Sequence, residues 1–280
     1  MTIEMTQVLD AGAQERIAAA VAQPGLIVVL TGAGVSAQSG IRTYRGEGGR
    51  WTDGGVVAMN RATMAYFQRH PEQAWLWNLG RRTEMRSAEP NRAHTSIAGL
   101  GSQVGARMRL ITQNIDRLHI AAGSTPERTI EIHGHLQGMR CSAGCVGVLP
   151  IPDHFDGWGE DGTIGEREMD LLMCPVCGFA TRPHVLWFDE MYDEVHYQAR
   201  TADSWVARAA LCITVGTSGE IPVAPRLATI AQRAGALLVD VNPHDNALRQ
   251  LAHDTGGITV DALATSGVPA VVAAIEEAVR

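Results

Sequence analysis

Residues 26 to 46 read "LIVVLTGAGVSAQSGIRTYRG". Five apolar residues run directly into Thr31-Gly32-Ala33-Gly34, and the chain beyond could open a helix. A buried strand that ends in Gly-x-Gly and turns into a helix is a phosphate-binding signal, because glycines let the backbone approach a pyrophosphate and free amides cradle it. Gly32-x-Gly34-x-x-Ala37 fits the loose form of the dinucleotide fingerprint, which many unrelated proteins carry. An ordinary dehydrogenase would place an acidic residue about 20 positions on, at the end of a second strand, to hold a ribose hydroxyl. The nearest candidate, Asp53, lies in "GGRWTDGG", which is no strand, and this disfavours a standard hydride-transfer site.

Outward from this stretch, short apolar runs alternate with helical patterns. They fall at Leu26 to Leu30, Met108 to Thr112, Thr129 to Ile132, Val185 to Phe188, Leu211 to Val215, Ala236 to Val241 and Ile258 to Val260. The alternation predicts an α/β fold built on a mostly parallel, Rossmann-like sheet. Several runs end in polar or glycine-containing signals, "TGAG", "TQNID", "HG", "GTS" and "VNP". Ligands of open α/β sheets sit outside the carboxyl ends of the strands, so these tails should converge on one crevice. Residues from about 42 to 100 are helical in pattern, and those from about 136 to 183 hold the cysteine pairs and the polar insert "DHFDGWGEDGTIGEREMD". Both read as modules inserted in the core of a single domain, together forming a smaller lobe.

The chain of 280 residues is 45% hydrophobic and carries a net charge of −7, which allows a large core and offers no broad cationic surface for nucleic acid. No basic segment precedes an apolar one near the amino terminus, and no apolar run approaches membrane-spanning length, so a cytoplasmic protein is expected. Every one of the 23 basic residues is arginine. A GC-rich genome accounts for that.

Cys141-x-x-x-Cys145 and Cys174-x-x-Cys177 supply four soft ligands suited to tetrahedral zinc, and four sulfurs leave no open position, so the metal should be structural. Cys212, in "LCITV", reads as a core residue. His133 in "EIHGH" falls where a strand ends and a glycine permits a turn, a position suited to a general base. Asn114 and Asp116 in "TQNID" could hold a carboxamide at another strand tail, or cap the helix that follows.

Taken in order, "GAGVSAQSGI…YRG", "TQNIDRLH", "HG", the two cysteine pairs, "RPHVLWFDE", "GTS" and "VNP" resemble the sirtuin family of NAD-dependent protein deacylases. The resemblance implies a Rossmann-like domain with a zinc module and a helical module, NAD between them, and an acyl-lysine peptide entering the same cleft. It implies that Ala33 and Arg45 contact the NAD phosphates and ribose, and that Gly32, Gly34, Tyr44 and Ala262 are also among the cofactor-binding residues. Gln113 and His133 would meet the nicotinamide ribose, Ile41, Asn114 and Asp116 would form the nicotinamide pocket, and Gly216, Thr217, Ser218 and Asn242 would hold the adenosine half. Trp187, Phe188, Asp189 and Glu190 would pair with the substrate backbone as an added strand. His133 as base would let the ribose 2′ oxygen attack the acyl carbon, giving nicotinamide, O-acyl-ADP-ribose and deacylated lysine.

Some positions depart from the family pattern. Arg42, Thr43, Tyr44 and Arg45 stand where most relatives have Pro-Asp-Phe-Arg, and Asp189 replaces a glycine. Thr43, "RPHV" and "WF" resemble the branch that removes succinyl and malonyl groups, but its Tyr-x-x-Arg pair is here Asn78 and Arg81. Glu47 lies close in sequence to the pocket loop. Deacetylation is therefore expected to match or exceed desuccinylation. The alternatives are a desuccinylase or demalonylase, or an NAD hydrolase or ADP-ribosyltransferase on the same scaffold.

Overall fold

The structure, a computed structural model, describes residues 8–43 and 59–280. Its strands are β1 (Leu26–Thr31), β2 (Met108–Thr112), β3 (Thr129–Glu131), β4 (Gly134–Cys141), β5 (Leu149–Pro150), β6 (Thr181–Val185), β7 (Ala209–Val215), β8 (Leu237–Val241) and β9 (Ile258–Val260). Six of them form one sheet in the order β3-β2-β1-β7-β8-β9, parallel throughout. The chain runs outward from β1 in one direction and later returns to build the other half, so the strand order reverses between β1 and β7. That reversal opens a crevice at the carboxyl ends of these two strands.

Both faces of the sheet are covered, which explains why β1 is a continuous apolar run. Ile27 and Val29 point into a core shared with Ile17 and Val21 of helix Ala11–Ala22 and with Val268, Val271 and Ile275 of helix Ala264–Ala278. Val28 and Leu30 point the other way, toward Val206, Leu227 and Leu248 of the helices Ala199–Val206, Val223–Arg233 and Ala247–Asp254. Period-two alternation along a strand feeds two cores at once.

The helical stretch expected from 42 to 100 does not stay together. Helices Met64–Arg69 and Pro71–Arg86 lie in the smaller lobe, but helix Arg92–Val104 packs on the main sheet through Ala93, Ile97 and Leu100. Its apolar stripe shows that one face is buried and is silent about what buries it. The strand expected at Val185 to Phe188 also requires correction. The strand is β6, Thr181–Val185, and it pairs antiparallel with β4 in a separate sheet ordered β5-β4-β6. Arg182, Pro183 and His184 hid it, because a fully buried strand seldom reads Arg-Pro-His. Arg182 is 1% exposed and is satisfied there by the Glu190 carboxylate and the Val185 carbonyl.

The smaller lobe has one core made from both inserts. Trp75, Leu79 and Met85 of helix Pro71–Arg86 pack with Leu136 and Met139 of β4 and with Phe155, Ile164 and Leu172 of the cysteine-bearing insert. Polar ties join the same partners: Trp75 Nε1 donates to the Thr181 carbonyl at 3.2 Å, and Arg82 and Arg86 both reach Asp156 at 2.7 Å. No helix among the described residues is long and apolar enough to cross a membrane.

Candidate functional site

The two loops at the strand reversal fit together through glycines. A Cβ on Gly32 would lie 2.7 Å from the Thr217 Cβ, one on Gly34 would lie 2.7 Å from the Gly216 oxygen, and one on Gly216 would lie 2.5 Å from the Val35 nitrogen. Gly216 has φ +57°, and the Gly34 amide donates to its carbonyl at 2.8 Å. The Gly-x-Gly signal therefore serves mutual loop approach: ahead of the 3₁₀ turn Ala33–Ser39, the Gly32 and Gly34 amides donate to the Val215 and Gly216 carbonyls and the Val35 amide to the Gly32 carbonyl.

Beside it, Ala33, Ile41, Asn114 and Asp116 line one narrow pocket with Ser36, Arg42, Ile115 and Met85. Hydrogen-bond directions fix the protons behind it. The Asn91 amide donates to His94 Nδ1 at 3.2 Å, so His94 Nε2 carries the hydrogen and donates to Ser36 Oγ at 3.3 Å. Asn114 Nδ2 also donates to Ser36 Oγ, which in turn donates to Asp116 Oδ2 at 2.8 Å. Asp116 Oδ1 accepts from the Leu118 amide at the start of helix Leu118–Ala121, while its other oxygen joins this network. Burial raises the Asp116 pKa against these donors and lowers that of His94 to about 4. An amide and a carboxylate held rigidly at a pocket rim suit recognition of a carboxamide.

His133 occupies the turn between β3 and β4, where the chain leaves the parallel sheet for the small one. Gly134 permits the exit: its φ is +72°, and a Cβ there would lie 2.2 Å from the His184 oxygen. The imidazole contacts the Gln113 carbonyl through Nδ1 at 2.8 Å and the Tyr192 hydroxyl through Nε2 at 2.9 Å. Burial lowers its pKa to about 4, so the ring is neutral at physiological pH, opposed by the Gln113 carbonyl, which favours the charged form. Gln113 turns its amide the other way, donating to Thr217 Oγ1 at 3.1 Å and bridging the two halves of the crevice.

On the far side, Asn242 Nδ2 donates to the Thr217 carbonyl at 3.1 Å, and the Asn242 and Ala262 amides both donate to the Val260 carbonyl. Gly216, Thr217, Asn242 and Ala262 are thereby gathered at the ends of β7, β8 and β9, with Ser218 following Thr217 in the same loop. Tyr44 and Arg45 lie outside the described residues, as does Glu47.

Cys141, Cys145, Cys174 and Cys177 place all four sulfurs within 4.8 Å of one another. Neighbouring sulfurs are 3.2 to 3.5 Å apart, too far for disulfides and near the ~3.8 Å edge expected of a tetrahedron with Zn–S bonds of about 2.3 Å. Gly144 (φ +69°) and Gly178 (φ +73°) turn the chain tightly around the two pairs, which accommodates the three-residue spacer of the first. Backbone amides of Cys145 and Ala143 lower the Cys141 thiol to about 6, and those of Cys177 and Val176 lower Cys174, whereas the crowded neighbouring sulfurs of Cys177 and Cys174 push the Cys145 thiol up, so a metal is needed to draw off that proton. The donor set fits zinc, with every sulfur committed. Cys212 is buried in the sheet and its thiol is pushed up to about 12.

Trp187, Phe188, Asp189 and Glu190 form a turn rather than an open strand. The Phe188 amide donates to the Ala62 carbonyl at 3.0 Å, that of Glu190 to the Trp187 carbonyl at 3.1 Å, and that of Trp187 to the Glu190 carboxylate at 2.9 Å. Asp189 accepts from the Met64 and Ala65 amides at 2.7 and 3.0 Å, so its charge faces the first turn of helix Met64–Arg69. Glu190 is taken by Arg182, and Trp187 is buried beneath the Arg182 guanidinium, 3.7 Å from its ring centre. On helix Pro71–Arg86, Asn78 is buried with its amide donating to the Ala74 carbonyl, and Arg81 stacks over the Trp77 ring at 4.7 Å. Sequence reasoning missed Ser36, His94 and Tyr192. The first two had a signal, a hydroxyl two residues past Gly34 and a histidine three residues past the helix-capping Asn91, but Tyr192 had none.

A family model described as the Sir2 family matches residues 32–223. The chain is 37% identical over 230 residues to an NAD-dependent protein deacylase of Thermus thermophilus, covering 81% of this chain and 83% of that one. It is 39% identical over 220 residues to NAD-dependent protein deacylase 1 of Pseudomonas aeruginosa, covering 78% and 82%. Among solved structures, a Sir2 homologue mutant bound to ADP-ribose superposes with a TM-score of 0.79 at 30% identity, covering 96% of this chain and 98% of that one. A Sir2 homologue bound to NAD gives 0.77 at 30%, covering 95% of each. With the strand-reversal crevice and the four-cysteine site on the same scaffold, the chain belongs to the Sir2 family of NAD-dependent protein deacylases.

Proposed function

We propose that this deacylase acts chiefly as a protein-lysine deacetylase with His133 as its general base. The observation that carries this is the setting of His133: a neutral imidazole at the carboxyl end of β3, fixed through Nδ1, beside the pocket of Ile41, Asn114 and Asp116. When bound, NAD supplies the ribose that accepts the acyl group and nicotinamide as the leaving group. Ile41, Asn114 and Asp116 hold the nicotinamide, and Ala33, Gly32 and Gly34 meet the phosphates. Gln113 orients the nicotinamide ribose, and Gly216, Thr217, Ser218, Asn242 and Ala262 hold the adenosine end. Positioning of this kind supplies much of the rate. His133 then takes a proton released from the ribose hydroxyls.

Two features support acetyl over succinyl groups. Asn78 offers no hydroxyl to a second carboxylate, and its amide nitrogen already serves Ala74, leaving an unpartnered acceptor oxygen, Oδ1. Arg81 would be left to hold that carboxylate alone. An acyl-lysine protein or peptide would enter along Trp187 to Glu190, displacing Ala62 from the Phe188 amide. A reducing, cytoplasmic setting is supported by four thiols arranged about one point.

Mass spectrometry of NAD products with matched acetyl, malonyl and succinyl peptides tests this. O-acetyl-ADP-ribose should form in step with deacetylated peptide, and His133→Ala should lower it by about 10²-fold or more. Succinyl turnover ten times faster than acetyl, or cleavage of NAD without acyl transfer, would refute the reading.

A further inference from the structure

His133 is placed as the base, yet the nitrogen that would accept the proton is already engaged. The Gln113 carbonyl 2.8 Å from Nδ1 can only accept, so Nδ1 carries the hydrogen. Nε2 therefore presents its single lone pair, and the Tyr192 hydroxyl, 2.9 Å away, donates to it. The phenol is well fixed for this role. Its ring packs against the core beneath β1 and β7, and the next residue, Asp193, caps helix Glu194–Tyr197 by accepting from the His196 amide.

A hydroxyl that donates still has lone pairs with which to accept. A ribose hydroxyl entering the crevice finds Nε2 covered and the Tyr192 oxygen in front of it. We propose that Tyr192 carries the proton from the ribose hydroxyl to His133, an inference that rests on His133 being the base. The ribose O–H bond breaks as its proton joins the tyrosine oxygen, while the phenolic proton moves to Nε2. The freed ribose oxygen bonds to the acyl carbon as the double bond between that carbon and the lysine nitrogen opens, its electron pair going to the nitrogen. Tyrosine ends neutral as it began, and the imidazole ends protonated. Burial raises the Tyr192 pKa to about 12, opposed by Arg226, so the phenol keeps its proton and acts as a carrier rather than as a base.

The loss of nicotinamide precedes any need for a base, which separates two readouts. In Tyr192→Phe, acyl transfer to ADP-ribose should fall about tenfold or more, while acyl-peptide-dependent exchange of labelled nicotinamide into NAD persists. His133→Ala should show the same split. Nitrogen-15 NMR of the ligand-free wild-type protein should find His133 protonated at Nδ1 and bare at Nε2, a measurement that needs no activity and no variant. The inference is overturned by wild-type acyl transfer in Tyr192→Phe, which would mean that NAD simply displaces the phenol. Equal loss of both readouts would overturn it as a structural effect, and a lower KM for NAD with unchanged kcat would show a competitor. A proton on Nε2 in the NMR spectrum would overturn it independently. Failure of the underlying assignment looks different: His133→Ala would then retain acyl transfer, and the inference would fall with it.

Discussion

Gly216 shows what a single missing side chain does in this crevice. Its left-handed φ of +57° and the 2.5 Å that would separate a Cβ from the Val35 nitrogen leave no room for alanine, and the atoms in the way are backbone. Gly216→Ala should cost about 1–3 kcal/mol of stability and weaken NAD binding, because the Gly32–Gly34 loop would be pushed from its cradle. A urea midpoint and an NAD titration that both match wild type would refute this account. The sequence makes Gly34 visible as part of a phosphate motif, but its steric partner lies in "GTS", beyond both inserts, and no local pattern connects the two. His133 was legible for the opposite reason, since a strand tail, a histidine and a turn glycine are neighbours in the chain. Tyr192 was not, because an aromatic residue between a turn and a short helix reads as packing until its hydroxyl is seen to face an imidazole.

At the scale of elements, the main sheet was readable almost throughout, because strands buried on both faces leave continuous apolar runs between helical patterns. The smaller lobe was not, because β6 is a buried strand of polar residues whose partners, Glu190 among them, are distant in kind from a hydrophobic signal. Helix Arg92–Val104 was readable as a helix and not as part of the main domain. Asp189, a substitution without evident purpose in the sequence, acquires one here: it ties the turn Trp187 to Glu190 to the amides of Met64 and Ala65 while Ala62 occupies the Phe188 amide. The peptide bed and the helical insert are thus latched together. Asp189→Gly should release the latch and lower the KM for acyl-peptide about tenfold or more, a charge-assisted hydrogen bond being worth roughly 1.5–3 kcal/mol, with the KM for NAD unchanged. Steady-state kinetics with each substrate varied would decide it, and an unchanged or higher peptide KM would show that the latch plays no part in peptide entry.

Over the whole molecule, permanent positive side-chain charge is carried by arginine alone, and several of its forks do what an ammonium could not. Arg107 donates to the carbonyls of Val21, Gln23 and Gly25 at 2.7 to 2.9 Å, closing the end of helix Ala11–Ala22. Composition disclosed the arginines, but it could not disclose how many titratable groups the fold forbids to titrate normally. Burial lowers the pKa of His94, His133 and His135 to about 4 and of His184 to about 3, and drives His119 well below its ordinary value. Below pH 6.5 the unfolded chain protonates these five histidines while the folded one cannot, so stability falls as pH drops from about 6.5 toward 4. Three carboxyls oppose the trend. Burial raises Asp116 and Asp240, and raises Glu131 to about 7, so the folded state takes up those protons first and gains stability as pH falls toward their unfolded values. Five groups against three leave the histidines in control. The thermal midpoint at constant ionic strength should therefore drop progressively from pH 6.5 to pH 4.5. A flat or rising midpoint over that interval would mean that proton uptake by the three buried carboxyls matches or exceeds the protonation that burial denies the imidazoles, and the histidine-dominated account would fall.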